Sequence, residues 1–102
     1  MISVNFYLSD STKKESLVLL SVSHNGKREK VSTKIKVFTD TWNSENQKVK
    51  CKHLAHYQKS VNTLLYDLKR ETEKIYYECM AERKTFNLSK MIKPLINEIS
   101  KP

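Results

Sequence analysis

The sequence is poor in glycine and in long apolar runs, and each shortage excludes a class of protein. It has one glycine in 102 residues, so it has no glycine-rich loop of the kind that cradles phosphate groups. The longest apolar run covers residues 17–20 and is far too short to cross a bilayer. The chain also shows no basic segment followed by an apolar one, the pattern of a signal peptide. We therefore expect no membrane and no small-molecule substrate among its partners.

Cysteine is also scarce, with Cys51 and Cys79 as the only two. In a chain without features of secretion such a pair usually stays reduced, so we expect no disulfide. His53 and His56 lie near Cys51, but the spacing lacks the paired arms of a zinc site. No carboxylate pair and no nucleophile with a base has a readable spacing either. The sequence predicts no metal, no cofactor and no enzymatic activity.

Positive charge is abundant and unevenly placed. The net charge is +8 at neutral pH. Residues 27–59 hold nine Lys or Arg and three Asp or Glu. Residues 61–84 hold five Lys or Arg and five Asp or Glu, so their charges cancel. A basic region beside a neutral one is typical of a nucleic-acid-binding protein, and an anionic membrane surface is the second partner that it suits.

The single glycine follows Asn25 between two alternating runs, which predicts a β-hairpin with a type I′ turn. Side chains two apart share a face of a strand. One face of the returning strand is mostly apolar: Glu29, Val31, Thr33, Ile35 and Val37. The other carries four cations and a hydroxyl: Arg28, Lys30, Ser32, Lys34 and Lys36. A solvated strand usually mixes charge signs, so this face suits a polyanion.

The remaining segments complete an α+β fold. Residues 2–8 alternate like a half-buried strand, so three strands would form an antiparallel meander with the second strand in the middle. From about residue 54 to residue 79 apolar side chains recur every three or four positions, which predicts a long helix packed on the sheet. Residues 43–47 read as a loop. Ser89 is the expected N-cap of a short further helix that Pro94 limits.

Further side chains join the cations as candidate DNA contacts. On the outward face they are Asn5, Tyr7, Ser21 and Ser23, and at the hairpin tip Lys27. Two plainer interpretations stay open: lysines often protect an edge strand from aggregation, and each polar residue could simply be solvated. RNA binding would require aromatic stacking residues that this face lacks.

Several segments, in this order, resemble a known family: residues 4–8, 17–22, 25–28, 31–37 and 42–43. They resemble the amino-terminal arm-type DNA-binding domain of Bacteroides-type tyrosine recombinases, the integrases of phages and conjugative transposons. The resemblance covers residues 1–85. The family often has glycine after the Ser–Thr pair, where this sequence has Lys34. That difference leaves open whether the backbone forms the bulge that glycine tolerates.

The resemblance implies a noncatalytic module whose sheet docks into the major groove of arm-type sites on double-stranded DNA. Residues 86–102 would be a short helix and the start of a linker toward a core-binding domain, with the catalytic residues of the parent recombinase in another domain. The expected partners are duplex DNA and other integrase protomers, in the bacterial cytoplasm at the nucleoid. The alternative is a protein–protein interaction module for recombinase assembly, which exposed Leu17 and Leu19 and the last helix would suit.

Overall fold

Three consecutive strands form an antiparallel sheet with the second strand in the middle. The computed structural model describes residues 2–99, and the strands are β1 (Ser3–Leu8), β2 (Glu15–His24) and β3 (Lys27–Phe38). The turn between β2 and β3 is formed by Asn25 and Gly26, whose φ angles are +48° and +75°. Two positive φ angles are what a type I′ turn requires. The predicted hairpin and meander are confirmed.

A β-bulge interrupts the pairing of β3 with β2. Leu17 pairs with Lys36 and Leu19 pairs with Ser32, so three residues of β3 stand opposite the one residue between the two leucines. Lys34 lies at the centre of the bulge with φ of +61°. The bulge therefore forms with lysine in the left-handed conformation that glycine would adopt more easily.

Hydroxyl groups stabilise the bulge where strand pairing is lost. The Ser32 hydroxyl accepts a hydrogen bond from the Lys34 N–H at 3.1 Å, and the Thr33 hydroxyl accepts one from the Ile35 N–H at 3.2 Å. Thr33 is buried, and its hydroxyl also donates to the Val18 carbonyl at 2.7 Å. Side chains thus satisfy backbone groups that the bulge leaves without a strand partner, at the surface for Lys34 and in the interior for Val18 and Ile35.

Two helices cover one face of the sheet and bury a single core. They are α1 (Ala55–Ala81) and α2 (Leu88–Ile99). Val18, Leu20 and Val22 of the central strand are fully buried in the same cluster as Leu68 and Ile92 of the helices. On α1, Tyr76 is buried and its neighbour Tyr77 is exposed, as adjacent helical positions require. The predicted α+β fold with a long helix and a shorter one is confirmed.

The start and the course of α2 differ from the sequence prediction. Asn87, not Ser89, is the N-cap, because its side-chain oxygen accepts a hydrogen bond from the Lys90 N–H at 3.0 Å. The helix also continues through Pro94 to Ile99. Proline inside a helix costs about 3 kcal/mol, but full burial of Leu88, Ile92 and Ile96 contributes roughly 1.5–3 kcal/mol per side chain. Burial therefore outweighs the proline.

The loop expected at residues 43–47 forms the turn of a small second hairpin, with Asn43 already in its first strand. Its strands are β4 (Trp42–Asn43) and β5 (Lys48–Val49). Asn62 of α1 holds β5 with two hydrogen bonds to the backbone of Val49, at 2.8 and 2.9 Å. The predicted start of a linker includes residues 100–102, which lie outside the described residues. Within residues 2–99, no helix combines the length and apolar character that crossing a bilayer requires.

Candidate nucleic-acid interface

The face of the sheet opposite the helices carries the predicted contacts, and we call it the outer face. Strand pairing assigns its members, because residues directly opposite one another point to the same side. They are Ser3, Asn5, Tyr7, Leu17, Leu19, Ser21, Ser23, Arg28, Lys30, Ser32 and Lys36. The bulge adds two residues to β3, an even number, so Lys36 stays on the same side as Ser32 and Lys30.

The outer face consists of rows that run across all three strands. One row is Ser3, Ser23 and Arg28, and the next is Asn5, Ser21 and Lys30. Each row therefore runs from small polar side chains on β1 and β2 to a cation on β3.

The Lys30 side chain reaches across the sheet toward β1. Its ammonium lies 5.5 Å from the centre of the Tyr7 ring, a distance typical of a cation–π contact. Ser21 lies between Asn5 and Lys30 in the same row and is only 5% exposed. Ser21 therefore offers little surface to a ligand, whereas Asn5 and Lys30 are exposed.

The structure brings three of the predicted cations together on this face and places two elsewhere. Arg28, Lys30 and Lys36 are exposed on the outer face. The ammonium of Lys34 donates to the Asn97 side-chain oxygen of α2 at 2.8 Å. Lys27 stands opposite His24 in the register and lines a cleft on the helix side of the hairpin tip.

Acidic groups are distributed so that the hairpin end of the outer face is purely cationic. Glu29, the one acid of β3, points to the helix side, where its carboxylate lies 3.3 Å from His24 Nε2. At the other end of the sheet, Glu15 pairs with Phe38 and continues the outer face. No acid of β2 or β3 therefore lies beside Arg28 and Lys30 on the outer face.

Sequence reasoning did not identify a basic pair near Lys36. Lys13 and Lys14 of the β1–β2 turn line a cleft of about 610 Å³ together with Lys36. Asp10 lies in the same cleft, and hydrogen bonds from Thr12 hold the pKa of its carboxyl below the ordinary value. The charges here are mixed. Two adjacent lysines in a predicted turn were the available signal for this extension.

Sequence reasoning also did not identify Gln47, which contacts the edge of β1. Its side-chain oxygen accepts from the Phe6 N–H at 2.8 Å, and its side-chain nitrogen donates to the Asn5 side-chain oxygen at 2.9 Å. Gln47 is more than forty positions from Asn5 in the chain, and no local sequence pattern predicts such a contact.

Cysteine and potential metal-ligand side chains are dispersed in the described part of the chain. Cys51 and Cys79 are both free, and Cys79 is buried. Residues 2–99 contain no cluster of three or more His, Cys, Asp or Glu side chains that could hold a metal ion.

The outer face is instead suited to a phosphate backbone and to base edges. A guanidinium presents a planar fork that can bind a guanine edge in a bidentate manner, whereas lysine ammonium groups bind phosphates as point charges. Amide and hydroxyl groups in the same rows can donate to and accept from bases.

One comparison with known proteins gives a match. A family model described as an arm DNA-binding domain matches residues 6–92, which include the last part of β1, all of β2, β3 and α1, and the first part of α2. No match was found among curated proteins or among solved structures.

Proposed function

Because this chain belongs to the arm DNA-binding domain family, we propose that its outer face docks into the major groove of arm-type sites for a tyrosine recombinase. Family membership makes the chain a DNA-binding module that is noncatalytic in itself. The recombinase, the groove and the contacting residues are our proposal. The observation that carries it is the set of exposed cations on the face that the helices leave open.

The size of the outer face supports docking in the major groove. Neighbouring strands lie about 4.8 Å apart, so the two edge strands, β1 and β3, lie about 10 Å apart. The major groove of B-DNA is about 12 Å wide. With β3 toward one phosphate backbone, the rows would extend across the floor of the groove toward Asn5 and Tyr7 on β1.

The three cations would have different tasks. Arg28 is the candidate for reading a guanine edge, because only arginine offers two parallel donors. Lys30 and Lys36 would bind phosphates and fix the register of the protein on the duplex. Lys34 and Lys27, which lie off the outer face, would add positive charge at its margins.

A salt titration with two matched triple variants tests this proposal. R28A/K30A/K36A removes three cations from the outer face, and K74A/K90A/K93A removes three exposed cations from the helices. Each phosphate contact contributes about −0.9 to the slope of log affinity against log salt. With Lys30 and Lys36 on phosphates and Arg28 on a base, the first variant makes the slope shallower by about 1.8, while the second leaves it nearly unchanged.

The two variants separate the position of the charge from its amount, since both lose the same net charge. Equal losses of affinity would refute the assignment of the outer face and would point to unspecific attraction by a basic protein. Binding of wild-type protein that does not depend on salt would refute the electrostatic mechanism as a whole. Folding of each variant is checked by circular dichroism.

Protein–protein contact between recombinase protomers is a second candidate function, and exposed side chains of α1 favour a different site for it. Leu17 is 37% exposed, and Leu88, Ile92 and Ile96 of α2 are buried in this domain's own core. The more exposed apolar side chains are Tyr66, Tyr77 and Met80 on α1, which lie 11 and 3 residues apart and so share one side of the helix. The variant Y66A/Y77A should reduce cooperative binding to adjacent arm sites and leave binding to a single site unchanged.

A further inference from the structure

Gln47 connects the second hairpin to the edge of β1 through both atoms of its amide group. The oxygen accepts from the Phe6 N–H and the nitrogen donates to the Asn5 side-chain oxygen. Gln47 has φ of +54°, a conformation that few residues other than glycine, asparagine and aspartate adopt readily. The backbone there directs the glutamine toward β1.

The backbone N–H of Phe6 determines the orientation of both amide groups. An N–H group can only donate, so the Gln47 atom that faces it must be the oxygen. The nitrogen of Gln47 must then face Asn5, and the Asn5 atom that receives this donor must be its oxygen. The amide of an exposed asparagine could otherwise rotate by half a turn and exchange the positions of its oxygen and nitrogen. Here the two hydrogen bonds permit only one orientation.

Asn5 is therefore presented to the solvent in one orientation. It is exposed on the outer face in the row of Lys30. Its oxygen is engaged by Gln47, and its nitrogen has no hydrogen-bond partner within residues 2–99, so the two N–H groups are free to donate.

From this geometry we infer that Gln47 is a positioning residue that sets the base preference of Asn5. Resting on the proposed function, the inference assigns Asn5 as the side chain that donates from its nitrogen to an acceptor on a base edge. Purine N7 and thymine O4 are acceptors in the major groove, whereas the cytosine edge there offers an N4 donor, so a donating Asn5 disfavours cytosine. Gln47 acts through Asn5 and makes no contact with the base.

The substitution Gln47→Glu tests the inference with little change of shape. Its carboxylate still accepts from the Phe6 N–H, but it cannot donate to the Asn5 oxygen. The Asn5 amide should turn over to donate to the new carboxylate, which leaves the Asn5 oxygen facing the DNA. An acceptor at this position favours the N4 donor of cytosine and the N6 donor of adenine.

The experiment selects bound duplexes from a pool with a randomised central segment, using the full 102-residue chain and its variants, and sequences them. Wild-type protein should disfavour cytosine at one position by roughly 2-fold to 12-fold, the effect of a single hydrogen bond. N5A should equalise the four bases at that position alone. Q47E should shift the preference there toward cytosine and adenine and leave the other positions unchanged.

The double variant N5A/Q47E controls for the added negative charge. It should select the same sequences as N5A with lower overall affinity, because no Asn5 amide remains to be turned. A different base preference in N5A/Q47E would mean that residue 47 contacts DNA directly, and the inference would be wrong. An unchanged profile in Q47E, or a preference that survives in N5A, would also overturn it.

The same selection distinguishes the inference from the proposed function on which it depends. If the wild type binds duplexes with steep salt dependence but enriches no sequence, the electrostatic docking stands and the Asn5 assignment fails. If the wild type binds no duplex, the proposed function itself fails. Free energies of unfolding of Q47E and N5A should match that of the wild type within about 1 kcal/mol, since exposed hydrogen bonds contribute little.

Discussion

Replacing Lys34 by glycine should stabilise the domain, although lysine forms a hydrogen bond there that glycine cannot form. Lys34 has φ of +61° at the centre of the β3 bulge, and side chains with a Cβ atom are strained in this conformation. Its ammonium donates to Asn97 at 2.8 Å, but Lys34 is exposed. Two effects of opposite sign therefore compete.

Comparison of two variants isolates the backbone effect. Lys34→Gly and Lys34→Ala both lose the contact with Asn97, so they differ only in the Cβ atom. Alanine in place of glycine at a positive φ destabilises by about 1 kcal/mol. The exposed hydrogen bond contributes about 0.5 kcal/mol, at the low end for such bonds. The free energy of unfolding should therefore decrease in the order glycine variant, wild type, alanine variant.

Thermal and urea unfolding measure this order directly. A difference of about 1 kcal/mol between K34G and K34A corresponds to about 4–8 °C in Tm for a domain near 100 residues. The control is N25G at the hairpin turn, where φ is also positive. Asparagine adopts this conformation readily, so N25G should change stability much less. If K34G were no more stable than K34A, the strain assigned to the bulge would not exist.

Three further substitutions test the packing of the fold, each by urea denaturation. Thr33→Val should destabilise by about 2–3 kcal/mol, because it leaves the buried Val18 carbonyl without its donor, while Thr33→Ser should retain most of the stability; similar losses in both would contradict a role for the hydroxyl. Asn87→Ala should cost about 1 kcal/mol as a lost N-cap, and Asn87→Asp should be nearly neutral unless the cap assignment is wrong. Leu68→Ala, at a fully buried position, should cost about 2–5 kcal/mol, against little change for exposed Leu54→Ala; comparable effects would refute the assigned core.

The sheet, and the residues on each of its faces, could be predicted because side chains alternate with a period of two within each strand. That pattern is visible in a short stretch of sequence. The Asn25–Gly26 pair located the turn, and the apolar positions of β2 identified the covered side. Alternation correctly placed Arg28, Lys30 and Lys36 together, because the bulge inserts an even number of residues between Ser32 and Lys36. Alternation grouped Lys34 with the other cations, because no spacing marks a bulge; only the family resemblance, with glycine at this position, left the bulge open.

Features that depend on distant contacts could not be predicted. Asn87 and Ser89 are both good capping residues, and only the packing of α2 on the sheet decides between them. Pro94 is tolerated because that packing outweighs the local cost of proline. Gln47 has an unremarkable sequence context, and its role depends on the second hairpin reaching the edge of β1.

The two extra residues of the bulge also limit how the chain length of β3 can change. Deleting one residue near Lys34 would turn every side chain after the deletion to the opposite side, so that Lys36 would point into the core and Val37 into water. Deleting two would straighten the strand and leave both sides as they are. Homologous chains should therefore differ in length here by two residues and not by one.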